Sequence, residues 1–422
     1  MDKRLHKIGK PGVFISALIW NMSGICFYYL CRWLINISVV RMSTDFLDAG
    51  ILALAVSITG IWNVVALFSV RNIQVSDIKN EYSDNEYISA RIITVAAAIL
   101  LCAGHALLFA GSINQALVIT VYMILAASVS FADVMHGILQ KQWRMDLIGI
   151  SYVLRGIALI VPFVLLYHYL GLLPAVIGMA FFSIIIVFAF DIRFARKYTD
   201  IKIRFVWRRI LSLIKICLPL VIVTALSTLI PSVTRMALEK LTDTETLGVY
   251  GSVTLPANII QMVVMSAFAP FANVFTRCFQ EQNKKKYLTT FWAGTTGIII
   301  FFALFFVLTI PFGDWLMRLL FGAGMEKYTY LFREATFICF LASLSWFIGI
   351  PMTVFRRTKI IMIIYTGGVA VCSFILRFMI TRYGTSGANY IQIAAYAIIA
   401  VAMLVTVQII AKRAFTNKLI ET

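Results

Sequence analysis

The chain has 422 residues, 61% apolar and 13% charged, and its 37 Lys and Arg against 19 Asp and Glu give a net charge of +18. Soluble domains carry about 45–50% apolar and about 25% charged residues, so this composition, with a mean hydropathy of +0.90, excludes a soluble globular enzyme and a disordered chain. The basic residues stand between long apolar runs, which excludes a nucleic-acid binder and points to a polytopic membrane protein.

Crossing ~30 Å of hydrocarbon at 1.5 Å per residue takes ~20 apolar residues. In chain order, ten runs are free of Asp, Glu, Lys and Arg: 11–31, 49–70, 92–132, 156–190, 216–234, 246–276, 287–313, 335–355, 360–376 and 383–411. Two are too long for one crossing, and both contain turn chemistry: Gly111-Ser112-Ile113-Asn114-Gln115 in the third run and Gly171-Leu172-Leu173-Pro174 in the fourth. Splitting them predicts an all-α integral membrane protein with twelve transmembrane helices. Pro219 and Pro231 in the seventh helix favour a bend there. The run after the N-terminal cluster Lys3, Arg4, Lys7 and Lys10 is too long for a signal peptide and lacks a small-residue cleavage site, so it reads as an uncleaved first helix.

Arg and Lys in the connections set orientation. With the N-terminus on one side, that side holds 27 of them and the other side with its helix ends holds nine, so both termini are expected in the cytoplasm. The longest connection on the basic side spans about 191–215, and its stretch from Ile201 to Ile210 interleaves aromatic and basic residues. That pattern fits an amphipathic helix lying on an anionic leaflet. The expected organisation is an N-lobe at 1–195, a basic amphipathic linker at 196–212 and a C-lobe at 213–422.

The seven cysteines form no C-x-x-C pair, and the four histidines form no H-E-x-x-H, so no disulfide, metal site or catalytic residue is expected. No G-x-x-x-x-G-K-[ST] occurs either, so the chain carries no ATPase loop of that kind.

The two halves repeat. At an offset of 198, Thr44, Asp45 and Gly50 meet Thr242, Asp243 and Gly248, and Asn63 meets Gln261. At an offset of 212, Gly137, Ile138, Arg144, Ile148 and Gly156 meet Gly349, Ile350, Arg356, Ile360 and Gly368. Six helices per half make the repeat parallel, and such repeats build transporters with the substrate path between lobes.

The run Val39–Gly50 and its counterpart Leu241–Tyr250 resemble the L-G-x-x-x-(F/L)-G-x-(Y/F) turns after helices 1 and 7 of polysaccharide flippases, including Wzx-like O-antigen flippases, in the multidrug/oligosaccharidyl-lipid/polysaccharide (MOP) exporter superfamily. The Gly137…Arg144 stretch resembles the turn after their fourth helix. Leu52 stands where an aromatic follows the first turn, and Thr234 where an acid often precedes the helix-7 Arg. The resemblance implies a MATE-like fold that moves undecaprenyl-diphosphate-linked oligosaccharide across the bacterial inner membrane by alternating access. It also implies a proton or sodium gradient as the energy source, no cofactor, and partners such as a polysaccharide polymerase and chain-length proteins. The alternatives are a small-molecule antiporter of the same superfamily, a lipid II flippase (usually fourteen helices) and a membrane polysaccharide polymerase.

Arg32, Asp133, His136, Arg155, Arg235 and Arg377 fall inside the predicted spans. A charge near a helix centre costs about 2.5–3.5 kcal/mol on insertion scales. Arginines outnumber acids there, which suits an anionic substrate, because Arg binds phosphate through two parallel hydrogen bonds. The candidate substrate-binding residues are therefore Arg32, Arg155, Arg235 and Arg377, with Asn63 and Gln261 as amide contacts to sugars. Tyr28, Tyr29, Trp20, Asn21 and Asn258 are further sugar contacts by the same argument. Three of the arginines, Arg32, Arg235 and Arg377, lie toward helix ends, where snorkelling is the other reading. Asp133 and Arg155, at similar depth on consecutive helices, read either as a structural ion pair or, for Asp133, as the site of the coupling ion.

Overall fold

The computed structural model describes residues 11–43, 46–77, 81–268 and 271–416. Thr44, Asp45, Lys79, Lys418 and the N-terminal basic cluster lie outside the described residues. Among the described residues there is no β-strand, and eleven helices are long and apolar enough to cross a membrane. They belong to an element order of α1 (Pro11–Met42), α2 (Leu47–Leu67), α3 (Val70–Ser76), α4 (Asp84–Phe109), α5 (Ile113–Lys141), α6 (Met145–Leu170), α7 (Leu172–Ile186), α8 (Trp207–Leu241), α9 (Thr244–Phe268), α10 (Phe271–Gln280), α11 (Lys284–Phe321), α12 (Thr329–Val354) and α13 (Thr358–Thr416). After α7 the chain passes through a π-helical stretch, Val187–Ile192, and one further turn, Arg193–Ala195. The chain forms two compact units, Met1–Val221 and Ile222–Thr422. The division falls inside α8, not in the 196–212 segment.

The expected breaks at 111–115 and 171–174 are present. Ser112 caps α5 by accepting the Gln115 N–H at 3.2 Å, and Gly171 sits at φ +84° between α6 and α7. Three predicted elements differ. Residues 201–206 are irregular, not helical. The Lys202 N–H and the Arg204 carbonyl bond to the Asn85 and Ser89 side chains at the start of α4 in place of helical partners. The run 246–276 is divided between α9 and α10. The run 49–70 ends in a break between α2 and α3, where Phe68 (φ 42°) and Ser69 (φ 51°) are both left-handed. The Ala66 carbonyl freed by that break accepts Arg91 Nη1 at 2.7 Å and Thr94 Oγ1 at 2.9 Å, both from α4. α8 runs unbroken through Pro219 and Pro231.

In the first unit α1 and α6 meet at small residues. A methyl group at Gly24 would stand 2.2 Å from the Gly149 carbonyl oxygen, and one at Gly149 would stand 2.2 Å from that of Trp20. Backbone, unlike a side-chain tip, cannot give way, and close approach through glycine is how membrane helices gain packing without a hydrophobic drive. Gly149→Leu is therefore expected to abolish accumulation of folded protein. Gly104→Leu, at a position with open space within 4 Å, should leave it unchanged. Fluorescence-detected gel filtration of the two variants is the check.

The turn between α5 and α6 recurs between α12 and α13. Trp143 (φ 58°) and Arg356 (φ 56°) are left-handed, and each turn closes with a bond spanning five residues, Arg144 N–H to Leu139 O and Arg357 N–H to Met352 O, at 2.9 and 3.0 Å. These equivalent turns are 213 residues apart, one more than the sequence offset.

α13 has 59 residues, but Gly384 (φ 58°, ψ −132°) interrupts it in a conformation open essentially to glycine alone. The two arms fold back on each other. A methyl at Gly368 would meet Ile399 at 2.4 Å, and one at Gly387 would meet the Met379 carbonyl at 2.0 Å.

Candidate functional site

In the first unit a cavity of about 340 Å³ is lined from α1, α2, α5, α6 and α7, with Tyr28, Tyr29, Arg32, Asn63, Tyr122 and Asp133 among its walls. On α1, Tyr28, Arg32 and Asn36 follow one another at four-residue intervals and so share a face. Asn36 Nδ2 donates to the Arg32 carbonyl at 2.8 Å. Arg32 Nη2 donates to the Tyr122 hydroxyl at 3.1 Å, and its guanidinium lies 6.0 Å from the Tyr28 ring centroid. Arg32 pairs with no carboxylate among the described residues. Asn63 Oδ1 accepts the Ser130 hydroxyl at 2.6 Å, which fixes the amide at the wall.

Asp133 does not pair with Arg155. Its Oδ1 takes Arg71 Nη1 and its Oδ2 takes Arg91 Nη2, both at 2.9 Å. Arg71 also donates to Gln140 Oε1 at 2.7 Å. One carboxylate is thus shared by two guanidiniums, and with Arg32 the cavity region keeps net positive charge.

Arg155 is fully buried and does not line the cavity. Its Nη2 meets Asp191 Oδ2 at 2.5 Å and its Nη1 donates to the Ser183 hydroxyl at 2.9 Å. Asp191 Oδ1 also takes the Ser151 hydroxyl at 2.6 Å and lies 3.2 Å from His136 Nε2. The expected Asp133–Arg155 pair is therefore replaced by two separate clusters. Arg155, expected among the substrate ligands, lies off the cavity with its Nη1 and Nη2 taken by Ser183 and Asp191. Arg71, Arg91, Asp191 and Tyr122 are the residues the sequence reading missed. The first three stand at or just beyond the edges of charge-free runs, where they look like loop charges.

In the second unit, Arg235 is half-buried within electrostatic reach of Tyr250 and Cys339. Gln261 is half-buried on α9 and Arg377 is exposed on α13. A polar cluster there joins Tyr250 to Asn389 at 2.7 Å and Asn389 to Glu334 at 2.8 Å. Outside the spans, burial raises the Asp77 carboxyl, but the N–H groups of Tyr82 and Glu81 and the Tyr87 hydroxyl outweigh it and hold the group below its usual range. No cluster of metal-ligating side chains occurs among the described residues.

No protein-family profile matches the chain. The fold is that of MOP-superfamily transporters. The chain is similar to the lipid II flippase MurJ in an inward closed conformation (TM-score 0.69, 15% identity, 94% of this chain and 87% of that one). It is also similar to an inward-facing multidrug-resistance MATE transporter of the MOP superfamily (TM-score 0.68, 15% identity, 92% and 94%). These folds belong to transporters and flippases, not enzymes. In sequence it is 24% identical over 302 residues to the capsular polysaccharide biosynthesis protein CapF of Staphylococcus aureus, covering 69% of this chain and 74% of that protein.

Proposed function

We propose that the chain is a flippase for a polyprenyl-diphosphate-linked oligosaccharide, serving O-antigen or another surface polysaccharide of a bacterium. Counting the two arms of α13 as separate crossings gives twelve helices in two six-helix lobes. Both termini lie in the cytoplasm, the substrate moves to the outer leaflet of the inner membrane by alternating access, and a proton or sodium gradient supplies the energy. Polymerase and chain-length proteins take the product onward.

The observation that carries this reading is Arg32. A guanidinium in a membrane-embedded cavity, with a phenol and a ring face but no carboxylate, is complemented by an anion. Four tyrosines and Asn63 around it suit sugar rings and hydroxyls. The MurJ-like fold and the polysaccharide-related relative support the same class. A cation-exporting antiporter of the superfamily is disfavoured, because the cavity carboxylate, Asp133, is already matched by two arginines.

The test is flipping of the lipid-linked glycan in reconstituted vesicles. Arg32→Ala is expected to lower the rate by about a hundredfold, the loss of one charge-assisted contact of about 3 kcal/mol. Arg32→Lys should recover only part of it, because a point charge replaces a fork. Arg235→Ala is expected to lower it as well. Unchanged flipping in Arg32→Ala at normal abundance would remove the anion-site reading.

A further inference from the structure

We propose that the irregular strap at 201–206, between the π-helical turn and α8, forms with Trp207 at the start of α8 a binding site for anionic phospholipid headgroups. The strap is held rigidly from beneath. Asn85 Oδ1 accepts the Lys202 N–H at 2.9 Å, Asn85 Nδ2 donates to the Asp200 carbonyl at 3.1 Å, and the Ser89 hydroxyl donates to the Arg204 carbonyl at 3.0 Å. Just beyond it, Arg209 donates to Glu86 at 2.8 Å and to the Glu81 carbonyl, with its guanidinium 4.8 Å from the Tyr82 ring centroid. The Lys202 N–H and the Arg204 carbonyl therefore have partners without a helix, and the side chains of residues 202–207 are exposed.

What they present is amphipathic. Ile203, Phe205, Val206 and Trp207 are exposed, Trp207 at 61%, and the Phe205 and Trp207 rings stack with centroids 6.2 Å apart. Six basic residues at 193–208 are exposed, Lys202, Arg204 and Arg208 among them, against one exposed acid, Asp200, which pairs with Lys202 at 2.5 Å. Aromatic and branched apolar side chains beside an excess of exposed cations match the boundary between acyl chains and phosphates. The connectivity agrees, because the strap joins two helices that are each long and apolar enough to cross, and so returns along the surface between them. A second copy of the chain does not fit, since its own strap would bring like charges together. The strap runs directly into α8, so bound headgroups fix the level at which Trp207 and the first turn of that helix meet the bilayer. This inference is independent of what the cavity carries.

The test uses the full-length protein and native mass spectrometry, with phosphatidylglycerol and phosphatidylcholine as probes. The protein is expected to retain phosphatidylglycerol in preference to phosphatidylcholine. Each basic residue near an anionic surface contributes about a fivefold gain, so Lys202→Gln, Arg204→Gln and Arg208→Gln together should weaken that preference by more than about tenfold. Phe205→Ser with Trp207→Ser should reduce retention of both lipids while leaving the preference. All five positions are exposed, so folding is not at stake, and unchanged thermal unfolding in detergent confirms it. A triple variant that keeps the preference overturns the proposal. So does a wild-type protein with no preference, or strap-dependent dimers or co-purifying protein in place of lipid.

Discussion

Asp191→Ala is expected to clear the protein from the membrane. The substitution leaves the Arg155 guanidinium fully buried with only the Ser183 hydroxyl as partner, and breaking a buried ion pair on one side costs about 3–5 kcal/mol. Against a total stability of about 5–15 kcal/mol, that is a large share. It also strips Ser151 of its acceptor and leaves His136 Nε2 with only the Ser151 hydroxyl. Replacing both members of the pair with apolar residues of similar size, Asp191→Leu with Arg155→Met, removes the stranded charge and should recover most of the abundance. Quantitative immunoblotting of membranes and thermal unfolding in detergent read both effects. Normal abundance of Asp191→Ala would mean that water reaches Arg155.

Asp133→Ala should be as damaging, and for a reason that differs in stoichiometry. It takes the carboxylate from two guanidiniums, leaving Arg91, fully buried, with the Ala66 carbonyl and Arg71 with Gln140. Arg71→Gln, by contrast, leaves Asp133 and Arg91 matched one to one and should cost about 1 kcal/mol or less, because Arg71 is partly exposed. Arg91→Met falls between them, since Asp133 keeps Arg71 while the Ala66 carbonyl keeps only Thr94. The expected order of loss is Asp133→Ala, then Arg91→Met, then Arg71→Gln, read as membrane abundance. If Asp133→Ala accumulates normally and only gradient-driven flipping fails, the carboxylate acts in coupling instead.

The spans were legible because apolar length is dictated by bilayer thickness, and the turns at 111–115 and 171–174 were legible because Gly, Ser and Pro impose them. Charge partners were not. Treating charges as run boundaries hides buried ones at helix ends. Asp191, two residues before Arg193, reads as part of a basic surface connection. In the structure the π-helical register of Val187–Ile192 adds a residue to the turn, and Asp191 faces inward to Arg155. Arg91, immediately before an apolar run, reads as a loop cation but caps the break in the second span. Residues 201–206 show the opposite error, since spacing compatible with a helix says nothing about Asn85 and Ser89, which lie more than a hundred positions away. Arg32, at the edge of an apolar run, and Asn63, inside one, stood out as polar groups in the sequence, and the structure places both on the cavity wall. Their neighbour Tyr122 did not stand out, because a tyrosine in a span is ordinary packing.

The interruption at Phe68 and Ser69 has a mechanical meaning. An intact helix behaves as a rod, so a push or a twist at one end arrives at the other. Two consecutive left-handed residues act as a swivel in that rod, with no continuous ladder of hydrogen bonds to carry torque across. Each piece is instead tied to α5 on its own, the longer one through Asn63 to Ser130 and the short one through Arg71 to Asp133 and Gln140.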